Sequence, residues 1–319
     1  GIFAETKYFA GAGSIFNLGI RVDEVISDIN DPDEEFLALY PNLGHRTETN
    51  FSGTISYKKI LSPNYSLEFS FGRGVRSAAM EERFITFASA GNDSYEYVGN
   101  PNLKAEANNQ LEISFKGRTD LSGAFQSLDF GANVYYSRYE NYIAGIIEQD
   151  LHRRFMPTQE PVHPKVYRNL DKAFKTGFEV NAALDFASYF SFSSSFSYVY
   201  TENVDLGESL PLTPPFVTRL KLGYEKENFW ASVDYNITSK QTNIAPSFGE
   251  TETPGYELLD LKTGITLFDK LKIGVGVLNL FDTYYYNHLN YSFRNQAEYG
   301  NTPITEPGRN FTAFINYSF

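Results

Sequence analysis

The strongest constraint on the fold is a two-residue rhythm that runs through nearly the whole chain. Tyr65, Leu67, Phe69 and Phe71 alternate with Ser66, Glu68, Ser70 and Gly72, and Leu111, Ile113 and Phe115 alternate with Gln110, Glu112, Ser114 and Lys116. The same beat sets Phe174, Phe178, Val180, Ala182, Leu184 and Phe186 against Lys175, Gly177, Glu179, Asn181 and Asp185. Successive side chains of a strand point to opposite faces, so each segment reads as a strand with one apolar and one wet face. Phe190, Phe192, Phe196, Tyr198 and Tyr200 face Ser191, Ser193, Ser195 and Ser197, a parity too rich in serine for a sandwich core. Arg219, Lys221 and Glu225 then put charge on that parity opposite Leu220, Leu222 and Tyr224, which points to a hydrated lumen. Any one strand would suit a soluble sandwich equally well, so the decision rests on the connections.

Those connections alternate in length. Short ones fall near Gly11–Gly13, Ser62–Asn64, 118–126, Ala187–Ser188, Glu227–Asn228 and Asp269–Lys270, and long ones near 24–50, 75–105, 141–166, 202–214, 242–256 and 283–306. A sheet with tight turns at one end and long excursions at the other is the pattern of outer-membrane barrels, whose periplasmic turns are short and extracellular loops long. The expected fold is therefore an all-β transmembrane antiparallel barrel wall, read as one domain over residues 1–319. Counting from a last strand at Arg309–Phe319 back to a first at Ile2–Phe9, both descending, gives an odd number of strands, about thirteen. Bacterial single-chain barrels normally hold an even number, so an N-terminal portion with further strands is expected to precede residue 1.

Composition agrees and removes other classes. Aromatics are 16% of residues, with 28 Phe and 23 Tyr, a bias that suits pleated surfaces, while mean hydropathy is only −0.35. No run approaches the roughly 18 apolar residues of a membrane-spanning helix. A formal charge of −12 disfavours nucleic acid as a partner, and the absence of cysteine excludes thiolate chemistry and disulfides. The start, Gly1-Ile2-Phe3-Ala4-Glu5, has no basic or apolar leader pattern. No nucleophile elbow or triad context surrounds the serine-rich strand, so an enzyme is not expected and no cofactor is called for.

Several motifs resemble the TonB-dependent receptor family. Gly99-Asn100-Pro101-Asn102-Leu103-Lys104-Ala105-Glu106 is similar to its GNPNLKPE segment, with Ala105 where Pro is usual. Asn279-Leu280-Phe281-Asp282 with Tyr284 resembles its NLFD segment, and Pro307-Gly308-Arg309 its closing PGR; Ala173, Gly177, Phe178 and Glu179 resemble a further segment. The terminal strand carries Phe311, Tyr317 and a final Phe319, similar to the signal read by the outer-membrane assembly machinery. All these motifs punctuate turns and strand ends, so they mark a family without marking a substrate site.

What the resemblance implies is a bacterial outer-membrane receptor that imports a scarce ligand, such as a siderophore or metal chelate. Such receptors hold an N-terminal plug inside a barrel of about 22 strands and draw energy from the TonB complex. Neither plug nor TonB-binding segment is recognisable in residues 1–319, so contact with TonB is expected through a preceding part. Lipid and lipopolysaccharide would surround the wall. The alternative is a passive, porin-type channel.

Ligand candidates lie in the long loops. Arg76, Arg83, Arg153 and Arg154, with Arg73 and Arg168, suit an anionic chelate or, equally, lumen and lipopolysaccharide contacts. His45, His152, His163 and His288 with Met80 and Met156 would suit a copper-like metal, although no HxxxH-type spacing links them and polar loops tolerate His. The acidic run Asp23, Glu24, Asp28, Asp31, Asp33, Glu34 and Glu35 lacks the Gly and closing Glu of a calcium loop and reads as a solvated loop. Tyr135, Tyr136, Tyr139, Tyr142 and Tyr284 to Tyr286 are expected in an outer aromatic girdle.

Overall fold

A computed structural model describes residues 1–89, 93–290, 292–293 and 302–318. The first hairpin pairs β1 (Ile2–Phe9) with β2 (Ser14–Ser27). After α1 (Glu34–Leu39) come β3 (Arg46–Ser62) and β4 (Tyr65–Arg76). The next excursion holds α2 (Met80–Phe84) and two short strands, β5 (Ala88–Ser89) and β6 (Glu96–Val98). The wall resumes with β7 (Glu106–Asp120), β8 (Phe125–Ile147), β9 (Lys165–Phe186), β10 (Phe190–Asn203), β11 (Val217–Lys226) and β12 (Phe229–Thr238). It continues through β13 (Tyr256–Leu267) and β14 (Leu271–Leu278), and after the short β15 (Ser292–Phe293) and β16 (Thr302–Pro303) ends in β17 (Asn310–Tyr317).

Thirteen of these strands form one antiparallel path, β1-β2-β3-β4-β7-β8-β9-β10-β11-β12-β13-β14-β17, as the odd count required. Among the described residues β1 and β17 do not pair with each other, so each presents an open edge. Observed connections follow the expected alternation but are shorter where strands run on: β8 reaches Ile147 and β9 begins at Lys165, so the 141–166 loop is 148–164. At the tight end, Ala187 and Ser188 (φ 49° and 65°) and Phe268 and Asp269 (φ 54° and 57°) adopt left-handed backbone. Two consecutive left-handed residues match the twist of the flanking strands and reverse the chain within three-residue connections, 187–189 and 268–270.

The register confirms the two faces. Phe178 pairs with Tyr198, Val180 with Phe196 and Leu184 with Phe192 on one side, while Glu179 pairs with Ser197 and Asp185 with Ser191 on the other. Aromatic rings draw two rows across the apolar side. Near the tight turns Phe125, Phe186, Phe190, Tyr224 and Phe229 run ring to ring at 5.0–6.4 Å. Further up, Tyr136, Phe174 and Tyr200 form a second row at 5.9–6.0 Å. Phe174 and Phe186 lie twelve residues apart on β9. At about 3.3 Å per residue and a tilt near 45°, that separation is about 28 Å along the membrane normal, the height of an apolar band.

The girdle therefore consists largely of phenylalanines, and most of the tyrosines expected there lie elsewhere. Tyr136 holds its place. Tyr135 belongs to the polar parity and its ring lies over Gly177, where a Cβ would come within 2.6 Å of the hydroxyl. Asn141, with φ 54°, drops out of the β8–β9 pairing and shifts its parity, so Tyr142 turns inward. The rings of Tyr139 and Tyr142 then lie 5.3 Å apart and pack against a cluster of Ala144, Leu170, Ala173 and Leu210. Tyr285, early in the last long loop, packs against Tyr256 with ring centroids 4.5 Å apart and planes at 41°, whereas Tyr284 is exposed.

Candidate functional site

The polar face carries alternating charge rather than a single sign. Lys262 reaches Asp234 at 2.8 Å and Asp260 at 3.8 Å, and Lys221 approaches Asp234 at 3.9 Å. Strands with side chains of this kind cannot bury that face against an apolar core, because unpaired charge is costly away from water. Higher up, Tyr285, Asn287, Leu289 and Glu306, from the described part of the segment after β14, lie across this face. Between them lies a cavity of about 570 Å³ whose walls include Lys175, Glu179, Arg219, Asn236, Tyr285 and Glu306.

The loops above the cavity are knotted together by buried polar groups. Lys165, 1% exposed, is 2.5 Å from Asp93 and lies over the rings of Tyr95 (4.3 Å) and Phe248 (3.4 Å). Glu250 accepts the backbone amides of Leu212 (2.5 Å) and Ala245 (2.9 Å). Burial holds the Glu250 carboxyl above the ordinary carboxylate range, only partly countered by those amides. Burial pushes His288 down, so its imidazole is neutral near pH 7 and its 3.9 Å approach to Glu250 is no ion pair.

The expected arginines mostly serve as loop anchors. Arg83, 1% exposed, meets Glu48 at 2.7 Å and donates to the Pro101 carbonyl at 3.0 Å. Arg76 joins Glu82 (2.8 Å) to Glu106 (3.2 Å). Glu106 in turn accepts the Ile143 amide at 2.8 Å. Arg153 donates to the carbonyls of Phe155 (2.7 Å), Gln159 and Pro161 and lies 3.6 Å from Glu96. Arg154 pairs with Glu35 at 2.5 Å, so part of the acidic run ties two loops together. Arg73 lies 3.8 Å from Glu140, and Arg168 pairs with Glu148.

The histidines and methionines do not gather as a group. His45 lies 3.8 Å from Asp28, His288 sits in the Glu250 knot, and Met80 and Met156 are exposed. His152 and His163 do come together, with ring centroids 5.1 Å apart. Phe311 and Tyr317 lie on the apolar parity of β17, paired with Val277 and Leu271; Phe319 falls outside the described residues.

The motif segments act as scaffold. Gly99 donates to Ile85 at 2.7 Å and Asn100 to Glu82 at 2.9 Å, while Leu103 is completely buried. Asn279 bonds Thr283 in both directions, and Arg309 donates to Asp282 at 2.7 Å and to the Leu280 carbonyl at 2.9 Å. The cavity-lining Lys175, Glu179 and Arg219 were legible only as wet-face residues. Lys165 and Glu250 gave no sequence signal.

Residues 1–280 match the family described as TonB dependent receptor-like, beta-barrel. Among curated proteins, the chain is 23% identical to the probable hemoglobin and hemoglobin-haptoglobin-binding protein 4 of Haemophilus influenzae, across 75% of this chain and 26% of that protein. It is 25% identical to the vitamin B12 transporter BtuB of Photobacterium profundum, across 63% of this chain and 30% of that protein. Among solved structures, the copper transporter OprC superposes with a TM-score of 0.84 at 22% identity, covering 99% of this chain and 47% of OprC. The FrpB iron transporter of Neisseria meningitidis gives 0.69 at 15% identity, with 99% and 44% covered. The chain thus spans about a quarter to a third of these curated relatives and just under half of the solved ones.

Proposed function

We propose, because the chain belongs to the TonB-dependent receptor β-barrel family, that residues 1–319 supply wall and ligand-binding mouth to an importer driven by the TonB complex. Barrels of this family reside in the bacterial outer membrane, and the relatives bear the names of transporters, receptors and binding proteins rather than enzymes. The cavity of about 570 Å³ between the charged inner wall and the described residues after β14 that face it, Tyr285 and Glu306 among them, carries the reading. It is a compartment of drug-sized volume whose floor offers both Lys175 and Arg219 and the carboxylate of Glu179.

The relatives' names range over haemoglobin, vitamin B12, ferric enterobactin and copper, so family membership leaves the ligand open. A scarce metal chelate of the siderophore class is the ligand we propose. Arg76 and Arg154 keep side chains about half exposed and would meet its anionic groups, while Arg83 and Arg153 hold the loops in place. The open edges of β1 and β17 support closure by further strands, since unpaired backbone in lipid costs several kcal/mol per group.

The test is accumulation of radiolabelled ferric siderophores by cells relying on the natural protein, with and without TonB. Loss of accumulation on TonB removal is expected. Accumulation that persists unchanged without TonB, together with steady conductance in planar bilayers, would establish the passive channel instead.

A further inference from the structure

The connection between β8 and β9 is folded back on itself as an arm. Glu148 donates to Pro164 at 2.9 Å, Arg153 to Val162 at 2.8 Å and Gln159 to Met156 at 2.8 Å, so residues 148–153 run antiparallel to 162–164. This places His152 opposite His163 although eleven positions separate them, which is why their spacing resembles no metal motif. Their ring centroids lie 5.1 Å apart with the planes at 58°.

His163 is held in one tautomer. Its Nδ1 lies 2.8 Å from the Leu151 carbonyl, which can only accept, so Nδ1 carries the proton and Nε2 keeps its lone pair. A carbonyl behind one ring nitrogen is the usual support for a metal-ligating imidazole. The spacing fits as well. With metal–N near 2.0–2.1 Å and about 1.1 Å more to the ring centre, two imidazoles have centroids about 5.2 Å apart on a tetrahedral ion and about 4.5 Å apart when cis on a tetragonal one such as cupric ion. The rings sit within about 0.6 Å of either. Cations nearby do not oppose an ion, because Arg153 lies beside Glu96 and Arg154 pairs with Glu35 and Asp33. Glu96 also accepts the amides of Arg154 and Phe155 at 2.7 Å each, which fixes the arm before any ion arrives.

We propose that His152 and His163 bind one divalent transition-metal ion on this arm, His163 through Nε2, with water or a ligand atom completing the shell. Imidazole nitrogen suits copper, nickel and zinc among the available ions. Binding here is a property of the arm alone and does not depend on what the receptor imports.

The probe is cupric chloride, titrated into the natural full-length protein in detergent and followed by calorimetry and by electron spin echo modulation from coordinated imidazole nitrogen. One ion with two imidazoles is expected. His152→Ala and His163→Ala should each weaken it at least tenfold, while His45→Ala and His288→Ala leave it unchanged. Hydrogen exchange at the Arg153 amide reports whether each variant keeps the arm. Absence of a stoichiometric site, a single-imidazole spectrum, or affinity retained in either variant with an intact arm overturns the proposal.

Discussion

The Glu48–Arg83 pair offers the sharpest test of how the mouth is held. Arg83 is 1% exposed, and beyond Glu48 at 2.7 Å its charge meets only the Pro101 carbonyl at 3.0 Å among the described residues. Its Nε has no hydrogen-bond partner there. Glu48→Gln leaves this guanidinium buried without a counter-charge, a change that typically costs about 3–5 kcal/mol. Because the Pro101 bond survives, the low end applies, about 3 kcal/mol, which corresponds to roughly 10²-fold in an opening equilibrium. The assay is hydrogen exchange at Gly99 and Asn100, whose amides donate to Ile85 and Glu82. Protection there should fall roughly 10²-fold in Glu48→Gln while the β7–β8 amides keep theirs. Adding Arg83→Met removes the stranded charge, so the double variant should be more protected than Glu48→Gln alone. Arg46, partly exposed, also pairs with Glu48, and Arg46→Ala should cost no more than about 1 kcal/mol. Protection within threefold of the natural protein in Glu48→Gln, or a double variant worse than the single, would refute the reasoning.

Further outcomes follow from other parts of the molecule. Glu250 has a folded-state pKa raised by burial, so the loops it joins are most stable below the ordinary carboxylate range and weaken as pH rises through its elevated value. Protection factors at Leu212 and Ala245 should show that slope, and Glu250→Gln should flatten it. Glu48 slopes the other way: burial alone would raise it, but Ser77, Arg83 and Arg46 together hold it low. Its contribution is present above the ordinary carboxylate value and is lost as pH falls through the depressed one, seen as declining Gly99 protection toward acid. Replacing 148–164 with a short turn should spare membrane insertion, judged by heat-modifiable migration, yet reduce uptake; lost insertion would make the arm part of the wall. Deleting Phe319 should lower the amount assembled in the membrane without altering ligand affinity of the protein that does assemble.

Strand identity was legible because period two is a local property. Phe190 to Tyr200 against Ser191 to Ser197 needs no partner to be read, and its register with β9 follows once the turn at Ala187–Ser188 is placed. Side-chain destinations above the bilayer were not legible, for a physical reason. There the lipid no longer sorts the faces, and a single left-handed residue, Asn141, is enough to turn Tyr142 inward. Arg83 reads as a ligand arginine in the sequence because its partner, Glu48, is 35 residues away on β3, while Arg83 itself sits in α2. His152 and His163 looked unrelated because only the folding back of their arm makes them neighbours.

The two halves of the structure therefore answer to different forces. Below the Tyr136–Phe174–Tyr200 row the membrane dictates each outward residue, and a polar substitution such as Phe178→Lys faces a penalty of about 2–4 kcal/mol near the midplane. Above it, the arrangement of the loops is specified by a few desolvated ion pairs, Glu48–Arg83 and Asp93–Lys165 among them, whose partners lie in different loops or strands. Such pairs contribute little net energy compared with well-packed apolar groups, but they penalise any arrangement that separates them. Apolar loops would be equally cohesive yet free to slide, whereas each of these charges accepts one partner position. A receptor whose wall is fixed by lipid can thus hold a shaped mouth on loops exposed to water, and exchange of a pair member should change loop order before it changes the barrel.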